Sequence, residues 1–183
     1  RFQNEKQTKT GEIYPTNEVT ILTNNENSLV PKIMTWGFPG FKGREVIINA
    51  GSESANEKRM FAEPLLTKRV VIPSSGFFEW NRMGDKQKYY FKDPNHRILY
   101  MCGLYQVFSN EERFVILTTA ANDSMKEIHN RMPVLLNQEE VEPFILDYKS
   151  ASGILSRIPS PLYKETMSPP KNEAYEQLRF EFK

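Results

Sequence analysis

Between positions 69 and 120 the chain alternates short apolar runs with clusters of turn-forming residues, and this rhythm restricts its fold more than any other feature. The runs 69–73, 77–82, 89–92, 98–107 and 113–120 are rich in β-branched and aromatic side chains. Runs of that length and composition read as strands. They are separated by Ser74-Ser75-Gly76, Met83-Gly84-Asp85, Asp93-Pro94-Asn95 and Ser109-Asn110-Glu111-Glu112, all residues that favour turns. Successive strands joined by short turns form an antiparallel meander, and a meander with one buried face closes on itself or packs against helices.

The flanking segments fit the same class. Residues 19–22 and 32–36 read as a strand pair around the turn residues Asn24 to Ser28, and 47–50 is another short strand. Residues 52–68 have helical spacing, with Pro64 expected to interrupt the helix or start a second one. Asn122 is placed to cap a short helix ending near Ile128. Residues 132–136 read as a strand, and Asn137 caps a helix over 138–147. Pro159, Pro161, Pro169 and Pro170 predict an irregular arm from about residue 156. The expectation is one α+β domain over 1–183, mainly an antiparallel sheet curled into a barrel-like core with short peripheral helices.

Composition narrows the function classes. At 183 residues, 39% hydrophobic and 26% charged, the chain has the make-up of an ordinary globular domain. Lys and Arg number 24 against 23 Asp and Glu, so no strong overall field follows, although a local basic groove is compatible with that balance. The apolar runs are too short to span a bilayer. One cysteine and two histidines give no internal disulfide and no zinc cluster, so no metal or cofactor is expected. A reducing, cytoplasmic setting and a monomer are the expectation.

Several residues invite chemistry. Cys102 sits in the apolar Tyr100-Met101-Cys102-Gly103-Leu104, where burial makes a thiol inert, so it reads as a packing residue. Glu79 alternates with Phe78 and Trp80 and is either an exposed strand glutamate or a desolvated carboxylate with acid/base use. His129 follows the 122–128 segment, either as a capping group or as a proton donor and acceptor near neutral pH. His96 falls in a turn and is expected at the surface. Gly37, Gly40 and Gly43 lack phosphate-loop spacing; with their aromatic neighbours they make either a plain turn or a platform for unpaired bases.

Taken in order, Trp36-Gly37, Ile48-Asn49-Ala50 with Glu53, the run 69–73 leading to Ser75-Gly76-Phe77-Phe78-Glu79-Trp80, Thr118-Thr119-Ala120-Ala121-Asn122 and Ile128-His129-Asn130-Arg131-Met132-Pro133 form a series. That series resembles the SRAP family, the SOS response-associated peptidases or abasic-site processing proteins, over roughly residues 14–147.

The resemblance implies a protein that binds single-stranded DNA and links itself covalently to abasic sites. The nucleophile in that family is an N-terminal cysteine exposed by removal of the initiator Met. An α-amine and a thiol both react near neutral pH, so the amine forms a Schiff base with the sugar aldehyde and the sulfur closes a thiazolidine. The family opens Met-Cys-Gly-Arg-Phe, so the resemblance sets those first three residues ahead of Arg1-Phe2. The stretch before Tyr14 is shorter than the family's. It further implies that Asn49 holds the reacting terminus or sugar, Glu79 assists proton transfer at the amine, and His129 acts as the acid. Arg1, Trp36, Trp80, Thr119 and Arg131 are implied to line the DNA strand, the arginines on phosphates and the tryptophans packing or stacking. Gly51 stands where the family commonly has an arginine, leaving Lys58 or Arg59 to replace that contact. A peptidase using Glu79 and His129, and a non-catalytic single-strand binder, are the alternatives.

Overall fold

The structure, a computed structural model, describes residues 8–40, 45–81 and 87–167. Five strands close a barrel: β1 (Glu18–Asn25), β2 (Ser28–Trp36), β6 (Arg69–Ser74), β9 (Leu99–Phe108) and β10 (Glu111–Ala120). Neighbours around the ring are β10-β2-β1-β6-β9 and back to β10, and closure leaves none of the five as an open edge. All contacts are antiparallel except that of β2 with β10, which pairs Thr35 with Arg113 and Trp36 with Phe114 in parallel.

The expected curled antiparallel core is therefore present, with tighter turns than the sequence suggests. Asn25 pairs with Ser28, leaving Glu26 (φ 49°) and Asn27 (φ 63°) as a two-residue turn. Ser109 (φ 49°) and Asn110 (φ 67°) do the same between β9 and β10. Two left-handed residues in succession match the twist of a hairpin, and Asn tolerates that conformation at little cost.

Strand alternation sorts the barrel side chains into two cores. Val71, Cys102, Leu104, Val115 and Leu117 share one with three helices. Those helices are α1 (Arg59–Thr67), α2 (Val141–Leu146) and α3 (Tyr148–Leu155). Val70, Ile72, Met101, Phe114 and Ile116 share the other with Phe91, Met125 and Ile128. Arg69 is 4% exposed, and its guanidinium donates to Leu65 O (2.9 Å), Leu66 O (2.6 Å), Phe144 O (2.6 Å) and Ile145 O (3.0 Å). It thus satisfies carbonyls at the C-terminal ends of α1 and α2, where a cation also meets the negative end of each helix.

Smaller elements attach to this frame. β3 (Phe38–Pro39) pairs with β4 (Val46–Ile47), and β5 (Asn49–Gly51) lies parallel to β10. β7 (Phe77–Trp80) and β8 (Lys88–Lys92) form a second sheet that packs on the barrel through Phe77, Tyr89 and Phe91. β11 (Arg131–Pro133) pairs with β10 and β12 (Leu135–Leu136) with β9; Val134 between them donates to Leu117 O at 2.8 Å.

Four local expectations are corrected. Pro64 lies inside α1, because it costs one backbone bond while Phe61, Pro64 and Leu65 bury together; the helical stretch 52–68 breaks earlier, after a 3-10 turn at Ser52–Ser54. Asn122 caps turns rather than a helix: its Oδ1 accepts from Ser124 N–H at 3.0 Å, while Met125 and Ile128 are drawn into the core. Asn137 makes its capping box with Glu140, but the following segment is a 3-10 turn (Gln138–Glu140), α2 and then a separate α3 capped by Asp147. The arm from about 156 is irregular only as far as Leu162, after which β13 (Tyr163–Met167) pairs with β8. Pro169 and Pro170 lie outside the described residues. Among the described residues no helix is long and apolar enough to cross a membrane.

Candidate functional site

The C-terminal half of β10 gathers most of the singled-out residues. On one side β5 aligns Asn49 with Ile116 and Gly51 with Thr118; on the other β11 aligns Arg131 with Ala120 and Met132 with Thr119. Asn49 is exposed on β5. Beside it, the Trp36 indole N–H donates to Ile48 O at 3.1 Å, and the ring stacks on Phe114 at 6.5 Å between centroids. Half-buried and tied to the backbone, Trp36 both packs the barrel and flanks Asn49.

Arg131 is the most heavily bonded side chain of the site. Nη1 and Nη2 meet the two carboxylate oxygens of Glu53, each at 2.8 Å, and Nη2 also donates to Thr118 O at 2.6 Å. The Thr119 hydroxyl approaches Glu53 Oε1 at 3.5 Å. The Arg131 hydrogen bonds hold the Glu53 carboxyl at a pKa of about 2, well below its usual range. Gly51 faces this pair: a Cβ there lies 3.3 Å from Glu53 Oε2 and 3.4 Å from Arg131 Nη2. Its φ of −68° and ψ of 123° suit any residue, so a side chain fits with small adjustments of flexible atoms.

His129 follows the 123–128 turns, half-buried, with Nδ1 3.1 Å from the Arg131 N–H. Glu79 sits on β7 opposite Tyr89, on the same strand face as Phe77, which stacks on the buried Phe91 at 5.4 Å. Its Oε1 accepts from the Trp80 N–H at 3.2 Å; among the described residues no hydrogen bond joins it to Asn49 or His129. Trp80 is 43% exposed on the other face, with Lys88 Nζ 5.2 Å from its ring. Lys88 also pairs with Glu12, while Thr16 N–H donates to Trp36 O and Trp36 N–H to Asn17 O. Segment 8–17 therefore runs from Trp36 to the lysine beside Trp80. Arg1 lies outside the described residues, as do Phe41, Lys42 and Gly43.

Other candidates separate from this rim. Cys102 is fully buried and its thiol is pushed well above the ordinary range by desolvation, in keeping with a packing residue. His96 is exposed, with Nδ1 3.2 Å from Asp93. The platform reading of the glycine cluster fails at Phe38, which is wholly buried. Gly37 is required by its φ of +109° and by Val46, whose Cγ1 a Cβ would approach to 2.2 Å. Lys58 and Arg59 are exposed at the start of α1. Thr118 stands in the motif series without an assigned role, and so does Glu53. It lies 78 positions from Arg131, beyond any local pattern.

Comparison with known proteins places the chain in a family. A sequence profile described as SOS response associated peptidase (SRAP) fits residues 1–170. The chain belongs to the SRAP family. Its similar SRAP relatives include the abasic site processing protein YoqW of Bacillus subtilis, 33% identical over 70% of this chain and 62% of YoqW. The abasic site processing protein YoaM of the same organism is 29% identical over 88% of the chain and 80% of its own length. The chain thus spans less than two thirds of YoqW. A crystal structure of a Bacteroides thetaiotaomicron protein, 26% identical, superposes with a TM-score of 0.70 over 84% of this chain and 75% of its own. A Bordetella bronchiseptica protein shares the fold at 17% identity, with a TM-score of 0.74 over 86% and 87%.

Proposed function

We propose that this SRAP protein binds single-stranded DNA and captures abasic sites covalently; its relatives' name, abasic site processing protein, supports the abasic site as its target. The observation that carries this reading is the grouping of Asn49, Thr119 and Arg131 around one end of β10, with His129 bonded to the Arg131 backbone.

The nucleophile in this reading is an N-terminal cysteine that precedes Arg1 in the full-length protein. Its amine adds to C1′ of the ring-opened abasic sugar, a carbinolamine loses water to give an imine, and the thiol adds across that imine, its proton passing to nitrogen. His129 donates a proton to O4′ as the sugar opens, recovers one from the anomeric hydroxyl that becomes the aldehyde, and donates it again to the carbinolamine hydroxyl that leaves as water. Glu79 takes the proton released as the ammonium becomes a free amine. Asn49 orients the aldehyde, and the same groups serve removal of an initiator Met. Arg1, Trp36, Trp80, Thr119 and Arg131 line the strand, the two indoles flanking unpaired bases. The protein acts as a cytoplasmic, nucleoid-associated monomer without metal or cofactor.

The test is to incubate full-length protein of verified N-terminal cysteine with a single-stranded oligonucleotide carrying one abasic site. An adduct stable to SDS is expected. It should form at least about 100-fold more slowly in His129→Ala and Glu79→Gln, as for loss of a general acid or base. No adduct, or unchanged rates in both variants, overturns the proposal.

A further inference from the structure

The neutral His129 ring can carry its proton on either nitrogen, and its surroundings select one. Nδ1 lies 3.1 Å from the Arg131 N–H and 3.0 Å from the Arg131 carbonyl oxygen. The Arg131 N–H always carries its proton, so with it as partner the neutral ring accepts through Nδ1 and holds its own proton on Nε2; the carbonyl oxygen favours the other tautomer, and the position of the Arg131 backbone sets the balance. Once the ring is protonated, Nδ1–H has the carbonyl as partner. Both states are therefore held in one orientation, provided the Arg131 backbone stays where it is.

Arg131 is the first residue of β11, and a strand end is weakly restrained by its ladder alone. Its side chain supplies the rest. Glu53, on the 3-10 turn after β5, closes both Nη groups at 2.8 Å, and Thr118 O takes a further N–H at 2.6 Å. A bidentate carboxylate fork fixes orientation as well as distance. The side chain is anchored across the site, on the 3-10 turn that follows β5.

We infer that Glu53 is a positioning residue of this site: by closing the fork on Arg131 it fixes the peptide that selects the His129 tautomer. The importance of that tautomer rests on the proposed abasic-site chemistry, but the coupling is a property of the DNA-free protein and is measurable there.

Imidazole ¹⁵N resonances of full-length protein without DNA, at a pH where His129 is neutral, give the direct readout. Wild type is expected to show the Nε2–H tautomer, and Glu53→Gln a mixture of both. Arg131→Lys, which keeps the charge and loses the fork, should show the same mixture, and thermal unfolding checks that each variant is folded. The second readout is the rate of adduct formation. Glu53→Gln is expected to slow it about tenfold alone and not at all in a His129→Ala background, the non-additivity of residues acting as one unit. Identical ¹⁵N patterns in wild type and both variants overturn the inference, as does equal slowing in the two backgrounds. Absence of any wild-type adduct alongside the expected tautomer change overturns the proposed function and leaves the coupling standing.

Discussion

Arg69 and Arg131 each join segments distant in sequence, and the contrast between them separates the part of this molecule that holds the fold from the part proposed to meet DNA. Arg69 is buried, and the four carbonyls around it come from the ends of two helices. Desolvation lowers the pKa of its guanidinium, and these hydrogen-bond partners are all backbone carbonyls at helix ends. Arg131 lies at the rim with its side chain 33% exposed, bound to a carboxylate that is itself 52% exposed. Its side-chain partners are Glu53 and Thr118, with His129 on its backbone, rather than helix ends. Burial converts a cation into scaffolding, whereas a half-exposed ion pair orders a surface that remains open to a ligand.

The contrast breaks first at Arg69. Arg69→Met leaves buried carbonyls at both helix ends without donors and should cost about 4 kcal/mol in chemical denaturation. A loss below about 1 kcal/mol would put Arg69 in the same class as a surface residue. Next comes Asn122, whose amide donates to Pro159 O (2.9 Å) and Ser160 O (3.0 Å) and so latches the arm that carries β13. Asn122→Ala should cost about 2 kcal/mol. It should also speed amide exchange in Tyr163–Met167 more than in the barrel strands.

Glu53→Gln should cost only about 1 kcal/mol at pH 7, since the pair is partly solvated. The carboxyl titrates near 4.5 when unfolded and about 2 when folded, so its contribution is complete above pH 4.5 and fades as pH falls toward 2. The stability gap between wild type and Glu53→Gln should therefore narrow over that interval, and a gap independent of pH would refute the ion pair. The smallest effect belongs to Gly51→Arg, which adds a cation beside Glu53. The salt dependence of single-strand binding should steepen by about 0.7 in log-log slope, one phosphate's worth. An unchanged slope would mean that the added cation is spent on Glu53.

Much of the scaffold was legible because strand alternation is local. Val70, Val71 and Ile72, and Phe114 to Leu117, announce strands in sequence and fall alternately into the two cores. The parallel seam of Trp36 with Phe114, the burial of Phe38 and the pairing of Tyr163–Met167 with β8 are long-range outcomes that no window of neighbouring residues encodes. At the rim, the order of motifs brought out Asn49, Glu79, His129 and Arg131 as candidates. The bond from Glu53 to Arg131 was hidden because its partners meet only after β5 and β11 have both docked on β10.

The division between inert core and working rim is tested most directly by locating the covalent bond itself. Full-length protein is reacted with an abasic single strand, digested, and the modified peptide identified by mass spectrometry. The expected result is one adduct on the N-terminal cysteine, with Cys102 unmodified. An adduct on Cys102, or none on a protein whose terminal cysteine is intact, would contradict it.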